Sequence, residues 1–287
     1  MKLNRNMKKV FVFYILVSLF FTACTKTNIN EDFIDDTVVQ LQFSPVYEII
    51  EITKAATSIS SLATMLDVWI IDGTETQAVH QSSTDAGFGT ISVTLNKTKT
   101  YTLYAIAHSA NGQASLEDNV VSFPDNKVTQ TLFYTTTFCP ATTTSLSAVM
   151  TRISAQFRME TADAIPNDVT QMKFTVYNTG TTFNVSTGTF GNKIDKVTHY
   201  TSISRANDGT ASFTVSLFPD NITETANFRI TVDAMKANDD VYKQREFLDV
   251  PIKSNYKTVY HGTFFTDQSF SSSFLVDDWL SFDTVNF

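Results

Sequence analysis

The chain has 287 residues, 43% hydrophobic and 13% aromatic, with a formal charge of −8 at pH 7. That acidity argues against nucleic acid and against a polybasic membrane patch. Two cysteines, Cys24 and Cys139, make no disulfide framework, so packing must hold the fold, and the length suits one or two domains that each bury a core.

Lys2, Arg5, Lys8 and Lys9 precede an apolar run over residues 10–21, the order of a secretory signal. As a helix that run would reach about 18 Å, short of the roughly 30 Å hydrocarbon core, so residues 1–23 read as a removed leader. Phe21-Thr22-Ala23-Cys24 closes it and resembles the lipobox of bacterial lipoproteins, with Phe where Leu is commoner. The resemblance implies that Cys24 becomes the first residue and carries acyl chains, more than one being what makes anchoring stable. The alternative is an ordinary secreted protein cut nearby with a spare cysteine. Removing the leader, with its four basic and no acidic residues, takes the formal charge from −8 to −12.

Residues 24–37 are polar and acidic without a sustained period, as in a solvated tether. Alternation starts at Val39, Leu41 and Phe43, opposite Gln40 and Gln42, which predicts a half-buried strand. Ile59, Leu62, Ala63 and Leu66 follow at i, i+3, i+4 and i+7 behind Ser58, which predicts one short helix with a serine cap. Residues 66–71, 90–95 and 100–107 return to period two, and Asn111-Gly112 and residues 124–126 mark turns. The threonine-rich stretch around Phe138-Cys139-Pro140 predicts a domain junction between Pro140 and Leu146. Beyond it residues 152–159, 171–178, 211–217 and 227–234 alternate again. TISVTL at 90–95 and SFTVSL at 212–217 are a weak internal echo. The expected class is all-β, with sandwiches over residues 38–145 and 146–287.

Residues 250–266, VPIKSNYKTVYHGTFFT, resemble a segment of the Bacteroidetes fimbrillin superfamily, the type V pilins and their fimbrial anchor lipoproteins. The matching positions are Val250, Pro251, Ile252, Asn255, Tyr256, Thr258, Gly262, Phe265 and Thr266. Thr151–Phe157 is similar to the opening strand of the family's second domain, and Thr182-Phe183-Asn184 before Thr187-Gly188 to its next hairpin. The resemblance implies two tandem transthyretin-like β-sandwiches, delivered by lipid to the outer membrane surface and used in fimbria assembly and adhesion. It also implies other fimbrial subunits as partners. In polymerising members the first strand is released by cleavage after an arginine. After the leader this chain has no arginine before Arg152 and offers Lys54-Ala55 instead, which points to an anchor or accessory subunit that keeps its first strand.

A displaced edge strand leaves a groove that another chain's strand can fill. Residues 270–287 are the donor candidate, carrying Phe274, Val276, Trp279, Leu280 and Phe282; their ordinary reading is the last strand of the second sandwich. Catalytic signals are few. His80, His108, His199 and His261 are dispersed, and no HExxH pair, GxSxG elbow or phosphate loop occurs. No enzyme, metal or cofactor is implied. The acidic clusters at 35–36, 238–240 and 277–278 lack calcium-loop spacing, residues 238–240 reading better as a turn. Asp36-Thr37-Val38 and Asp283-Thr284-Val285 are similar to a Bacteroidetes O-glycosylation acceptor. Two alternatives stay open: a glycan-binding surface lipoprotein using stacked aromatics, and a pilin or tip adhesin meeting host protein. Against the first, Trp69 and Trp279 both fall in apolar runs.

Overall fold

The computed structural model describes residues 36–45, 58–203, 211–266 and, for the backbone alone, 275–278. In the first half the strands are Asp36–Pro45 (β1), Met65–Ile71 (β2), Thr76–Ser82 (β3), Thr90–Asn96 (β4), Tyr101–His108 (β5), Ser115–Glu117 (β6), Val120–Ser122 (β7), Leu132–Phe138 (β8) and Ser145–Arg152 (β9). Seven of them form one sheet in the order β3-β2-β5-β8-β9-β1-β4. β9 bends this sheet into two leaves: its residues 145–150 run parallel to β1, while Thr151 and Arg152 pair with Phe133 and Leu132 of β8. Strands that switch leaves make the corners of sandwiches. Between the leaves lie Val39, Leu41 and Phe43 of β1, Leu66, Val68 and Ile70 of β2, and Ile91, Val93 and Leu95 of β4. Each trio alternates in sequence, as a pleat with one buried face requires.

The helix expected over residues 58–66 is one 3-10 turn, Ile59–Ser61, whose first turn Ser58 caps by accepting from the Ser60 amide. It stops short because Met65 and Leu66 are already paired in β2 with Ser82 and Gln81 of β3. Ile59, Ala63 and Leu66 are nonetheless buried in the same core.

The second half contains Ala155–Thr161 (β10), Val169–Thr179 (β11), Thr182–Asn184 (β12), Thr189–Gly191 (β13), Ile194–Ser202 (β14), Ala211–Leu217 (β15), Ala226–Lys236 (β16), Val241–Ile252 (β17), Tyr256–Gly262 (β18) and Leu275–Asp278 (β19). Two sheets, β15-β10-β18-β19 and β14-β11-β16-β17, enclose a core in which Phe157 touches Phe247 and Tyr260 at ring-centroid distances of 5.4 and 5.5 Å.

The halves share one plan. The order β18-β10-β15 repeats β9-β1-β4, and β14-β11-β16-β17 repeats β3-β2-β5-β8. First and seventh strands are parallel in both, and the echoing segments are β4 and β15, fourth strands of their sandwiches. The additions differ: β6-β7 follows the fifth strand of the first sandwich and β12-β13 the second strand of the other. β7 and β12 then pair antiparallel, Val121 facing Phe183, and make a small sheet β13-β12-β7-β6 between the sandwiches. Trp69, Ile106, Phe123, Phe183, Phe190 and Phe218 pack around it. Both sandwiches belong to one compact unit, Thr37–Phe287.

The passage from one sandwich to the other lies later than the polar stretch 140–146 suggested. Pairing keeps Ser145–Arg152 in the first sheet, and the chain crosses at Ile153-Ser154. The alternating run 152–159 is therefore the end of β9 and all but the last two residues of β10, with a break between them. Periodicity continued across the break because Ile153 is buried in the junction as a strand residue would be in a core.

Candidate strand-exchange site

β1 is the first of the described strands. It lies inside its leaf, between β9 and β4. Gln40 N–H donates to Thr144 O at 3.0 Å and Phe43 N–H to Gly89 O at 2.8 Å, while Ser92 Oγ donates to Gln40 Oε1 at 2.9 Å. Val39 and Leu41 are fully buried and Phe43 is nearly so. Burying three such side chains contributes about 5–9 kcal/mol, comparable to the net stability of a whole domain. The groove that holds β1 is thus a strand-shaped apolar slot with ladder partners on both sides. Gly89 shapes one rim: its φ is +91°, and a Cβ there would meet Ile59 Cγ2 at 2.9 Å.

The corresponding strand of the second sandwich, β10, is pinned at both ends. At its start Ile153 N–H donates to Thr131 O, Thr131 N–H to Ser154 Oγ, Ser254 Oγ to Ile153 O and Asn255 N–H to Ser154 O, at 2.9, 3.0, 2.6 and 3.0 Å. The segment resembling the fimbrillins supplies two of these four bonds, through Ser254 and Asn255. Val250, Pro251 and Ile252 end β17, Asn255 turns the chain with φ +66°, and Thr258 Oγ donates back to Pro251 O at 2.5 Å. At the other end Ala162 N–H donates to Gly262 O.

The exit toward the C-terminus is gripped as well. The Asp163 carboxylate accepts the amides of Phe264, Phe265 and Thr266 at 2.8, 2.6 and 2.7 Å. Lys243 Nζ donates to the carbonyls of Phe265 and Thr266, and Arg245 to those of Phe264 and Thr266. Three consecutive peptide units are thus held from both sides, the charged partners strengthening each bond. Sequence pattern shows none of this, because Asp163 lies a hundred residues from its partners. Farther on, β19 pairs antiparallel with β18, Leu275 opposite Val259 and Asp278 opposite Tyr256. Val276 belongs to it; Phe274, Trp279, Leu280 and Phe282 of the donor candidate lie outside the described residues, as do Cys24, Lys54 and Ala55.

The histidines are less dispersed than their spacing suggests. Asp67, fully buried, accepts from His80 Nδ1–H at 2.6 Å, from His108 Nε2–H at 2.8 Å and from Ala114 N–H at 3.0 Å. Ala110 N–H donates to His108 Nδ1, which leaves Nε2 as the protonated nitrogen. The carboxylate is satisfied by three donors, as burial demands. Antiparallel register brings these residues together: Asp67 faces His80 across β3 and Ile106 across β5, two residues from His108. Among the described residues no group of three or more His, Cys, Asp and Glu is arranged to hold a metal ion. Trp69 is 4% exposed, inside the junction core. Asn238–Asp240 is the β16–β17 turn, with Asp239 at φ +64° and Lys236 N–H donating to Asp240 O.

Two groups are shifted by their surroundings in the second sandwich. Burial, with the nearby Lys127 charge adding to it, lowers the pKa of His199. Burial and then Asp249 raise that of Tyr260. At the end of β2, Lys99 together with the amides of Glu75 and Thr74 holds the Asp72 carboxyl well below the usual carboxylate range.

Residues 34–281 match the family of fimbrillin-A associated anchor proteins Mfa1 and Mfa2. No curated protein sequence matches the chain significantly. Among solved structures, a candidate cell adhesion protein from Bacteroides ovatus is 15% identical, with a TM-score of 0.51 over 86% of this chain and 99% of that one; it shares the fold. A candidate cell adhesion protein from Bacteroides uniformis is 16% identical, with a TM-score of 0.49 over 85% and 99%. The fimbrial anchor protein Mfa2 from Porphyromonas gingivalis is 10% identical, with a TM-score of 0.39 over 78% and 90%.

Proposed function

The chain belongs to the family of fimbrillin-A associated anchor proteins, and from that premise we propose that it is a surface lipoprotein that anchors or completes a fimbria by β-strand exchange. The observation that carries this reading is the placement of β1, an N-terminal strand buried between two others. An anchor needs one end in the membrane and one end offered to a subunit. In this reading acylated Cys24 supplies the first, joined to the sandwich by the acidic tether. The chain is not cut at Lys54-Ala55, so β1 fills its own slot and no second subunit can enter there. Growth then proceeds from the other end, where Phe274, Val276, Trp279, Leu280 and Phe282 form the strand given to the next subunit. Ladder hydrogen bonds give such a joint its strength, and alternate side chains in pockets give it selectivity.

The reading places the protein at the cell outer membrane, with other fimbrial subunits as partners. Replacing the thiol tests it: Cys24→Ala should move the protein from the membrane fraction to the medium and shed fimbriae with it. Unchanged fractionation would contradict the anchor. Deleting residues 270–287 should abolish capture of a fimbrial subunit while the folded body persists, whereas loss of folding would make this end a structural strand only.

A further inference from the structure

The shared plan of the two sandwiches shows one slot that is filled in the second and, among the described residues, unfilled in the first. β18, the seventh strand of its sandwich, carries β19 on its outer edge. β9, the seventh strand of the other, pairs with β1 on one side; on its other side only Thr151 and Arg152 are paired, with β8. Among the described residues the outer edge of Ser145–Met150 meets no strand, and neither does the facing side of Tyr134–Phe138. Where β8 and β9 diverge there is a groove of about 440 Å³, lined by Tyr134, Thr135, Val149, Thr151, Ile222 and Asn255. Val149 is 48% exposed beside it. The stretch 145–150 of β9 also lacks the devices that blunt an edge, since Ser145, Leu146, Ser147, Ala148, Val149 and Met150 include no charge, proline or glycine; the strand's one charge, Arg152, lies at its paired end.

The path of the chain identifies what fits there. β19 runs antiparallel to β18 and ends with Asp278 opposite Tyr256, one residue from Asn255 at the groove wall. Asn255 in turn is bonded to Ser154, just past the end of β9. A chain continuing beyond Asp278 in the direction of β19 therefore meets the C-terminal end of β9 first and runs antiparallel to it. Residues 279–287 follow, with Trp279, Leu280, Phe282, Val285 and Phe287 among them. Nine extended residues reach about 30 Å, enough for the roughly 20 Å of open edge on β9.

We propose that residues 279–287 add to β9 as an antiparallel strand in this groove, so that one C-terminal segment closes first the second sandwich and then the first. The proposal rests on the strand-exchange reading and deepens it. The donor end is stored on its own N-terminal sandwich, protected from other chains, and a fimbrial subunit must compete it away.

Hydrogen exchange on the full mature chain and on the same chain lacking residues 279–287 tests this. Deletion should remove protection from amides within 134–138 and 145–150, and a synthetic peptide of residues 279–287 should restore it. Unchanged exchange would overturn the proposal. If truncation unfolds the chain, a second measurement decides: Val149→Cys combined in turn with cysteine at each of positions 280–284, in a Cys139→Ser background. A disulfide within one chain at some position supports storage in cis. Bridges only between chains would show a second copy's tail in the groove, and no bridge at any position an empty groove; either overturns it. Both measurements use the isolated chain, so their failure leaves membrane anchoring and subunit capture to be judged separately.

Discussion

The first strands of the two sandwiches occupy the same place in the same plan and are secured in opposite ways. β10 enters through Ile153-Ser154, where four hydrogen bonds tie it to Thr131, Ser254 and Asn255, and leaves beside Asp163 and its three amides. It is built to stay. β1 has equal burial, through Val39, Leu41 and Phe43, but its attachment is the slot itself, through β9 and β4. Beyond the slot it has one side-chain tie, Ser92 Oγ to Gln40 Oε1, where the entry of β10 has two, through Ser154 and Ser254. The cores differ in composition: Phe157 on β10 makes edge-on and tilted ring contacts with Phe174, Phe247 and Tyr260, whereas the core that holds β1 is mostly Leu, Ile, Val and Ala, with Phe43, Tyr101 and Phe138 its buried aromatic members. The comparison teaches that a repeated fold can secure the same strand by different ties in its two copies without a change of topology.

The largest effect that would sharpen this contrast is removal of the strand. A chain lacking residues 24–45 should lose the folded N-terminal sandwich, since about 5–9 kcal/mol of burial goes with β1. Added peptide 36–45 should restore it, read by near-ultraviolet circular dichroism; a folded monomer without peptide would break the comparison. Phe157→Ala should cost about 3–5 kcal/mol in urea unfolding. No β10 peptide added in trans should rescue it, because the strand's ends are pinned. Next in size, Asp163→Asn should cost about 1–3 kcal/mol and speed amide exchange at 264–266, leaving the N-terminal sandwich unchanged.

Acid should separate the halves by smaller amounts. His199 has a folded pKa below its ordinary value, so the unfolded chain takes up a proton first as pH falls below about 6.5. Stability of the second sandwich is then full above that pH and declines below it, and His199→Leu should flatten the decline. Asp72 has its pKa depressed by Lys99 and two amides, so its contribution is present above about pH 3.9 and lost only as pH falls toward the lower folded value. Asp72→Asn should remove a small stabilisation of the first sandwich at neutral pH and flatten its acid limb, leaving the second sandwich unchanged.

Local periodicity was enough to read the strand-built class and most strand faces. Val39, Leu41 and Phe43, and the echo of residues 90–95 in 212–217, were legible because one face of each strand is buried and the pleat has period two. Ile59, Ala63 and Leu66 fit a helical spacing because a 3-10 turn followed by a strand buries the same three positions. The crossing at Ile153-Ser154 leaves no break in the pattern because a buried junction residue looks like a strand residue. What long-range register assembles was not legible at all. Nothing local joins Asp67 to His80 and His108, or Asp163 to residues 264–266, since pairing over tens to a hundred residues leaves no mark on spacing. The family segment was legible as pattern, and only the structure shows that Val250 to Thr266 pins β10 and the C-terminal exit.

The central claim is that this chain keeps its first strand and its lipid while it serves the fimbria. Intact mass and the N-terminal peptide of the mature protein, taken from its native cell surface, test that claim most directly. The account predicts acylated Cys24 as the first residue with residues 36–45 still present. A chain beginning at Ala55 would contradict it, because β1 would be gone and its slot open to another subunit.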